Sequence, residues 1–264
     1  MTTAPVWVLS GHGSQWAGMG RELLDTEPAF AAVLDELGPV FAEEIGFSPR
    51  QALLDGHLGD VDRIQPLLYA MQTGLAAVWR AYGVGPAAVI GHSVGEIAAA
   101  VTAGMLGLTD GARLVCRRSI LLRRVAGKGE MALVRLPMPE VEERLGNRPD
   151  AAAAIEASPS STVIAGDPRA VQELVAKWRA EGLAVLTVAS NVAFHSPQMD
   201  PLLADLMAAT RELAPARPAV YRRDGAWWGV RDLDVGLDHL GAVAVRECLP
   251  EVRHRSASLP GWGT

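Results

Sequence analysis

Residues 87–96 read Ala-Ala-Val-Ile-Gly-His-Ser-Val-Gly-Glu, and this stretch decides the fold. Its first four small apolar residues indicate a buried strand, and the pattern after the turn indicates a helix. Glycines two positions before and two positions after Ser93 let the backbone pack closely, so that the hydroxyl stands exposed. A chance match in a glycine-rich chain is the alternative. The strand–turn–helix order predicts an α/β fold with Ser93 as a nucleophile.

The flanking patterns extend this prediction. A short apolar strand at Val6–Leu9 is followed by helical patterns near residues 21–37, 66–82 and 109–127. Strands that alternate with helices indicate a mostly parallel sheet. We therefore expect residues 1–129 and 191–220 to form one large α/β domain of the α/β-hydrolase-like kind.

The middle of the chain has a different order of elements. Strand patterns alternate with two helical patterns in the order βαββαβ, which is typical of a ferredoxin-like unit. We expect such a subdomain, inserted into the large domain, at residues 130–190. Residues 221–264 follow neither a helical nor a strand period, and we expect an irregular tail there, with a truncated or frame-shifted end as one interpretation.

A serine hydroxyl needs a base to accept its proton, and six histidines are candidates. His195 lies in a proline-bounded loop directly after the last strand of the predicted subdomain. By itself such a residue is more often an ordinary loop histidine. His92 adjoins the serine, but consecutive side chains at a tight turn point apart, so we expect it to line the pocket.

Arg118 lies on the apolar side of a predicted helix. Its neighbours three and four positions away are apolar, namely Leu114, Val115, Leu121 and Leu122. A buried charge without a partner costs several kcal/mol, so an anion should accompany it. A substrate carboxylate and a protein carboxylate fit this position equally well, and a side chain that reaches solvent is a third alternative.

Bulk composition excludes several classes of protein. A net charge of −6 argues against nucleic acid as the main partner. We find no apolar run of about 20 residues and no basic leader, so we expect neither a membrane span nor a signal peptide. Two cysteines in 264 residues form no disulfide framework, which favours a reducing cytoplasm. We predict no metal site.

Several segments together resemble the malonyl-CoA:acyl-carrier-protein acyltransferases, especially the acyltransferase domains of type I polyketide synthases. They occur in family order and cover about residues 5–215. These segments are Gly11-His12-Gly13-Ser14-Gln15-Trp16, Gln65-Pro66, Gly91-His92-Ser93-Val94-Gly95-Glu96, Gly111-Ala112-Arg113, Arg118-Ser119 and Ala193-Phe194-His195-Ser196. The start of the first segment, Val94 and the Val-Ala-Phe-His motif also resemble iterative synthases that make small aromatic acids.

The resemblance implies a division of roles. Ser93 would take a malonyl group from coenzyme A and pass it to the phosphopantetheine thiol of an acyl carrier protein, with His195 as base. Backbone amides of His12 and Val94 would form the oxyanion hole. Arg118 would bind the malonyl carboxylate, while the pocket would be lined by Gln65, His92 and Phe194.

The resemblance also implies no bound cofactor, since coenzyme A enters as part of the substrate, and other polyketide synthase domains as further partners. Phe194 would favour malonyl over methylmalonyl units. Two features depart from the family. Glutamine is usual where His12 stands, and the segments expected after the catalytic histidine are not recognisable in residues 221–264. A serine esterase or thioesterase and an inactive acyltransferase fragment are the alternative functions.

Overall fold

The computed structural model describes residues 5–213, 219–223 and 226–230. They form an α/β fold, as predicted, with eight strands and nine α-helices in these ranges. The strands are β1 Val6–Leu9, β2 Ala88–Gly91, β3 Glu130–Val134, β4 Ala151–Ser158, β5 Ser161–Gly166, β6 Val185–Val188, β7 Ala219–Arg223 and β8 Ala226–Val230. The helices are α1 Arg21–Thr26, α2 Pro28–Glu44, α3 Pro49–Asp55, α4 Val61–Ala81, α5 Gly95–Thr102, α6 Leu108–Leu122, α7 Met138–Leu145, α8 Pro168–Ala180 and α9 Leu203–Ala209.

Strands β1 and β2 form a parallel pair that positions the loops carrying the predicted site. Leu9 lies opposite Gly91 in this register, so both strands end at the same edge. The loop that follows β1 and the turn that contains Ser93 therefore start side by side. Loops at the carboxyl ends of parallel strands are where α/β folds usually build their sites.

The main apolar core lies among α2, α4 and α6. Helix α2 contributes Phe30, Leu34 and Phe41, all fully buried. The segment that follows β6 returns to the same core, because Val192, Ala193 and Phe194 are buried in it. The residue before His195 is thus anchored in the main core.

Residues 130–188 build a separate antiparallel sheet in the order β4-β5-β3-β6. The element order βαββαβ agrees with the order predicted from the sequence. Helices α7 and α8 pack on this sheet, and Trp178 is nearly inaccessible in its own apolar cluster. The unit therefore has a core of its own.

Two predicted helices differ from the structure, and a third helix was not expected. The helix expected at residues 21–37 is divided at Glu27, which is extended, and α2 begins at Pro28. Proline suits a first helical position because it lacks an amide hydrogen. Helix α4 begins at Val61, so Pro66 lies inside it and does not start it. Helix α3 was not predicted.

The C-terminal prediction is wrong in its first part. Residues 219–223 and 226–230 form an antiparallel ladder, although part of this stretch was expected to be irregular. The remainder of the expected tail, 231–264, lies outside the described residues. In the described part of the chain, no helix combines the length and apolarity that crossing a membrane requires.

Candidate active site

Ser93 occupies a left-handed turn between β2 and α5, with φ 53°. The glycines around it are required by close packing. A Cβ on Gly91 would lie 2.3 Å from Cα of Glu96, and a Cβ on Gly95 would lie 2.3 Å from the carbonyl oxygen of Leu9. Any side chain at either position would force the turn apart. The tight turn predicted from the sequence agrees with this geometry, and Ser93 is half-buried in it.

His195 lies beside this hydroxyl, although 102 positions separate the two residues. The distance between Oγ of Ser93 and Nε2 of His195 is 3.0 Å, within hydrogen-bonding range. His195 also has a positive φ, 57°, and these two are the only residues other than glycine with positive φ in the described ranges. The structure thus brings together the predicted nucleophile and the predicted base.

A short glycine loop holds the backbone before His195. The amides of Gly127 and Gly129 both donate to the carbonyl oxygen of Asn191, at 2.8 and 3.3 Å. Gly129 lies so close to the next segment that a Cβ would be 2.0 Å from the amide nitrogen of Ala193. Our sequence analysis missed this loop, although the Gly-Lys-Gly triplet directly before β3 was a usable signal.

A second set of hydrogen bonds restrains the backbone around His195. The buried hydroxyl of Ser196 donates to the carbonyl oxygen of Ala193 at 2.7 Å and accepts from the amide of Gln198 at 3.3 Å. The segment that carries His195 is therefore fixed on both sides by hydrogen bonds. This restraint explains how a histidine can be held with a positive φ.

Arg118 is almost completely buried, with 1% of its surface exposed. Its guanidinium donates to the side-chain oxygen of Gln65, which is buried as well. Burial lowers the pKa of Arg118 to about 9, an effect opposed by the charge of Glu96, so the side chain is still cationic at neutral pH. Among the described residues its Nε has no hydrogen-bond partner.

His12 and Phe194 lie next to each other, with ring centroids 5.6 Å apart and an angle of 47° between the planes. Phe194 is 6% exposed. Burial lowers the pKa of His12 below its ordinary value, and the charge of Arg118 lowers it further, so the imidazole is neutral at pH 7. The loop after β1, the base segment and the buried arginine therefore meet in one region.

His92 has a different position from the other predicted pocket residues. Its side chain is exposed. A Cβ built on Gly11 would lie 2.8 Å from Nδ1 of His92, so the imidazole packs against this glycine. It thus covers the outer side of the loop after β1. The structure brings Gln65, Arg118 and Glu96 together inside, while His92 borders the site from solvent.

The arrangement has the parts that acyl transfer requires. A hydroxyl touches an imidazole, and Val94 is the N-cap residue of α5, where backbone amides are left without helical acceptors. A buried cation near the site suits a substrate with a carboxylate. In the described part of the chain, no group of histidine, cysteine and acidic side chains is placed to hold a metal ion.

Comparisons with known proteins agree with this chemistry. The family model described as "Acyl transferase domain" matches residues 6–227. The 5-methyl-1-naphthoate synthase of Streptomyces sahachiroi is 50% identical over 216 residues, which cover 82% of this chain and 12% of that protein. The chain spans only 10–12% of the length of the first curated relatives that it matches.

Two solved structures are similar throughout the region described. The acyltransferase domain of the polyketide synthase PpsC of Mycobacterium tuberculosis has 44% sequence identity and a TM-score of 0.77, covering 82% of this chain and 68% of that chain. A malonyl CoA-acyl carrier protein transacylase from Coxiella burnetii has 25% identity and a TM-score of 0.74, covering 84% of this chain and 73% of that chain.

Proposed function

This chain belongs to the family of acyl transferase domains, and we propose that it transfers a malonyl unit from coenzyme A to an acyl carrier protein through an ester on Ser93. The observation that carries this proposal is the 3.0 Å contact between the Ser93 hydroxyl and Nε2 of His195. The acyl acceptor is the phosphopantetheine thiol of the carrier protein.

The proposed reaction has two matched halves. In the first, Nε2 of His195 takes the proton of Ser93 as its oxygen attacks the thioester carbonyl of malonyl-CoA. The tetrahedral intermediate expels the coenzyme A thiol, which receives the proton from His195. In the second half, His195 takes the proton of the carrier thiol, which attacks the ester, and Ser93 leaves with that proton.

The proposed oxyanion hole consists of the backbone amides of His12 and Val94. Two contacts support this choice. Val94 stands at the start of α5. A Cβ built on Gly11 would lie 3.2 Å from Cβ of Ser93, so the backbone amide of the following residue, His12, is close to the nucleophile. Amides held by the backbone stabilise the developing charge without reorganising.

The proposed acyl pocket explains why Arg118 is buried. Its guanidinium would bind the free carboxylate of the malonyl group, with Gln65 orienting it from the side. Sequence spacing alone left a protein carboxylate as an equal alternative. The Nε of Arg118, which has no hydrogen-bond partner among the described residues, supports the substrate. Phe194 and His92 complete the lining, the former from inside and the latter at the exposed border.

The proposed partners follow from this reaction. They are malonyl-CoA, an acyl carrier protein and further polyketide synthase domains, with no bound cofactor. The names of the relatives support the polyketide setting, since one matched structure is a polyketide synthase acyltransferase domain.

We also assign residues 130–190 to an inserted ferredoxin-like subdomain, supported by its separate core, and the larger part of the chain to an α/β-hydrolase-like domain.

The test is intact mass after incubation with malonyl-CoA. One malonyl adduct should form and map to the peptide that contains residues 91–96, and Ser93→Ala should abolish it. Addition of a phosphopantetheinylated carrier protein should then discharge the adduct and load the carrier. Loading that survives in Ser93→Ala, or discharge to water at the same rate without a carrier, would contradict the proposal; the latter outcome would indicate an esterase.

A further inference from the structure

The side chain of His12 contains a buried polar atom that the proposed reaction does not use. Its Nδ1 is shielded from solvent and has no hydrogen-bond partner among the described residues. A buried polar atom without a partner costs about 1–3 kcal/mol, so such atoms usually have a functional reason. The oxyanion role given to His12 concerns its backbone amide and leaves this nitrogen unexplained.

The position of the ring places it at the acyl pocket. It packs against Phe194, the residue before the proposed base, at a centroid distance of 5.6 Å. The preceding residue, Gly11, lies against the nucleophile, because a Cβ built on Gly11 would be 3.2 Å from Cβ of Ser93. The imidazole therefore contacts the base segment and belongs to a loop that starts beside the nucleophile turn.

A second buried donor in the same region also lacks a partner. The Nε of Arg118 has no hydrogen bond within the described part of the chain. The charge of Arg118 contributes to the lowered pKa of His12, as expected for two side chains in the same region. Two unsatisfied nitrogens, one of them on a cation, form an environment that a carboxylate would satisfy, because it offers two oxygens with about four acceptor positions.

We propose that Nδ1–H of His12 donates a hydrogen bond to the acyl carboxylate bound by Arg118, which makes His12 a specificity-determining residue for dicarboxylic acyl thioesters. A neutral imidazole holds its proton on either nitrogen, and an acceptor at Nδ1 selects the required tautomer. The inference rests on the proposed function, since it assumes that a malonyl group is the substrate.

Three substitutions test this role, and all of them retain the backbone amide at position 12. Asparagine places an N–H close to the position of Nδ1, glutamine places one close to that of Nε2, and leucine places none. For His12→Leu, kcat/KM for malonyl loading of Ser93 should fall about tenfold, as expected for one hydrogen bond to a charged group. Acetyl loading should change less, about twofold at most, because acetyl has no carboxylate.

The asparagine and glutamine variants identify the nitrogen involved. His12→Asn should restore malonyl loading to within about threefold of wild type, whereas His12→Gln should resemble His12→Leu. The affinity of malonyl-CoA for Ser93→Ala, measured with and without His12→Leu, gives a readout that does not depend on turnover. Melting temperatures of all variants check that the fold is intact.

The outcomes separate this inference from the proposed function. The role of Nδ1 would be overturned if His12→Leu lost malonyl loading and acetyl loading equally, or if glutamine and not asparagine rescued malonyl loading. In either case a malonyl adduct on the wild-type protein would still support the proposed function. A wild-type protein that forms no malonyl adduct on Ser93 would overturn both.

Discussion

Ser93 and His195 contact each other through Oγ and Nε2 at 3.0 Å, and both hold a left-handed backbone conformation, with φ values of 53° and 57°. Such a conformation costs about 1–3 kcal/mol for a residue other than glycine and persists only where the surroundings enforce it. At Ser93 the close packing of Gly91 and Gly95 enforces it. At His195 the hydrogen bonds to the carbonyl oxygens of Asn191 and Ala193 enforce it. Both sides of the contact are thus prepared by the fold.

The first prediction concerns the base. Asparagine tolerates positive φ better than most residues, so His195→Asn should retain the backbone while removing the proton acceptor. Acylation of Ser93 by malonyl-CoA should slow about 100-fold or more, the usual contribution of a general base. Rapid-quench mass spectrometry measures this rate, and an unchanged melting temperature serves as control. Acylation at the wild-type rate would exclude His195 as base.

The second prediction separates the two explanations of Arg118. Methionine has a similar length without charge, and Arg118 donates to the buried side-chain oxygen of Gln65. Arg118→Met should therefore cost only about 1–3 kcal/mol of stability, because that oxygen loses its donor, while malonyl loading falls about 30-fold or more and acetyl loading is spared. If Arg118 were half of a structural ion pair, the variant should lose about 3–5 kcal/mol of stability and load both acyl groups poorly.

The positions of the candidate residues were easier to predict than the loops that hold them. Ser93 follows a strand signal and precedes a helix signal, and the apolar neighbours of Arg118 placed it on the apolar side of α6 but left its partner open. The contact to His195 joins two positions that are 102 apart in the sequence and could be named only through the family resemblance. The close approach of Gly129 to Ala193 has no local signature, because it exists only after β6 returns the chain to the main core.

The third prediction tests the close contact between Gly129 and Ala193. A methyl group on Gly129 would meet the amide nitrogen of Ala193 at 2.0 Å, so Gly129→Ala must displace the segment that carries His195. A displacement of about 1 Å at a reacting group can cost 100-fold in rate, and we expect a loss of that order in acylation.

A matched control for this substitution lies in α2. Gly38 has open space around the position of a Cβ and no positive φ. Gly38→Ala should leave acylation unchanged and stabilise the protein by about 0.5–1 kcal/mol, because alanine favours helix. Similar loading rates for Gly129→Ala and Gly38→Ala would show that the glycine loop does not position His195.

The fourth prediction concerns the chemical nature of the adduct. Burial raises the pKa of the Cys116 thiol to about 12, and the charge of Glu44 adds to this effect, so almost no thiolate exists at neutral pH. Cys116 should therefore remain unmodified by iodoacetamide in the native protein and react after unfolding. The malonyl adduct should resist neutral hydroxylamine, as an oxygen ester does. Rapid cleavage would identify a thioester and contradict loading on Ser93.

The last prediction concerns the acyl group that the pocket accepts. Phe194 precedes the proposed base, is 6% exposed and contacts the ring of His12, and we propose that its phenyl group limits the volume available to the acyl group. A methyl branch on the α-carbon of the acyl group would need that volume. Overfilling a packed site costs about 1–3 kcal/mol, which corresponds to roughly 10- to 200-fold preference for malonyl over methylmalonyl.

Competition between equal amounts of malonyl-CoA and methylmalonyl-CoA, with the Ser93 adducts resolved by mass, measures this preference. Phe194→Ser opens the space and should raise the methylmalonyl share, whereas Phe194→Leu retains most of the apolar bulk and should retain the preference for malonyl. The leucine variant thereby controls for loss of packing in the main core, where Phe194 is anchored. If wild type loads both acyl groups equally, or if the serine and leucine variants give the same share, Phe194 does not select the substrate by volume.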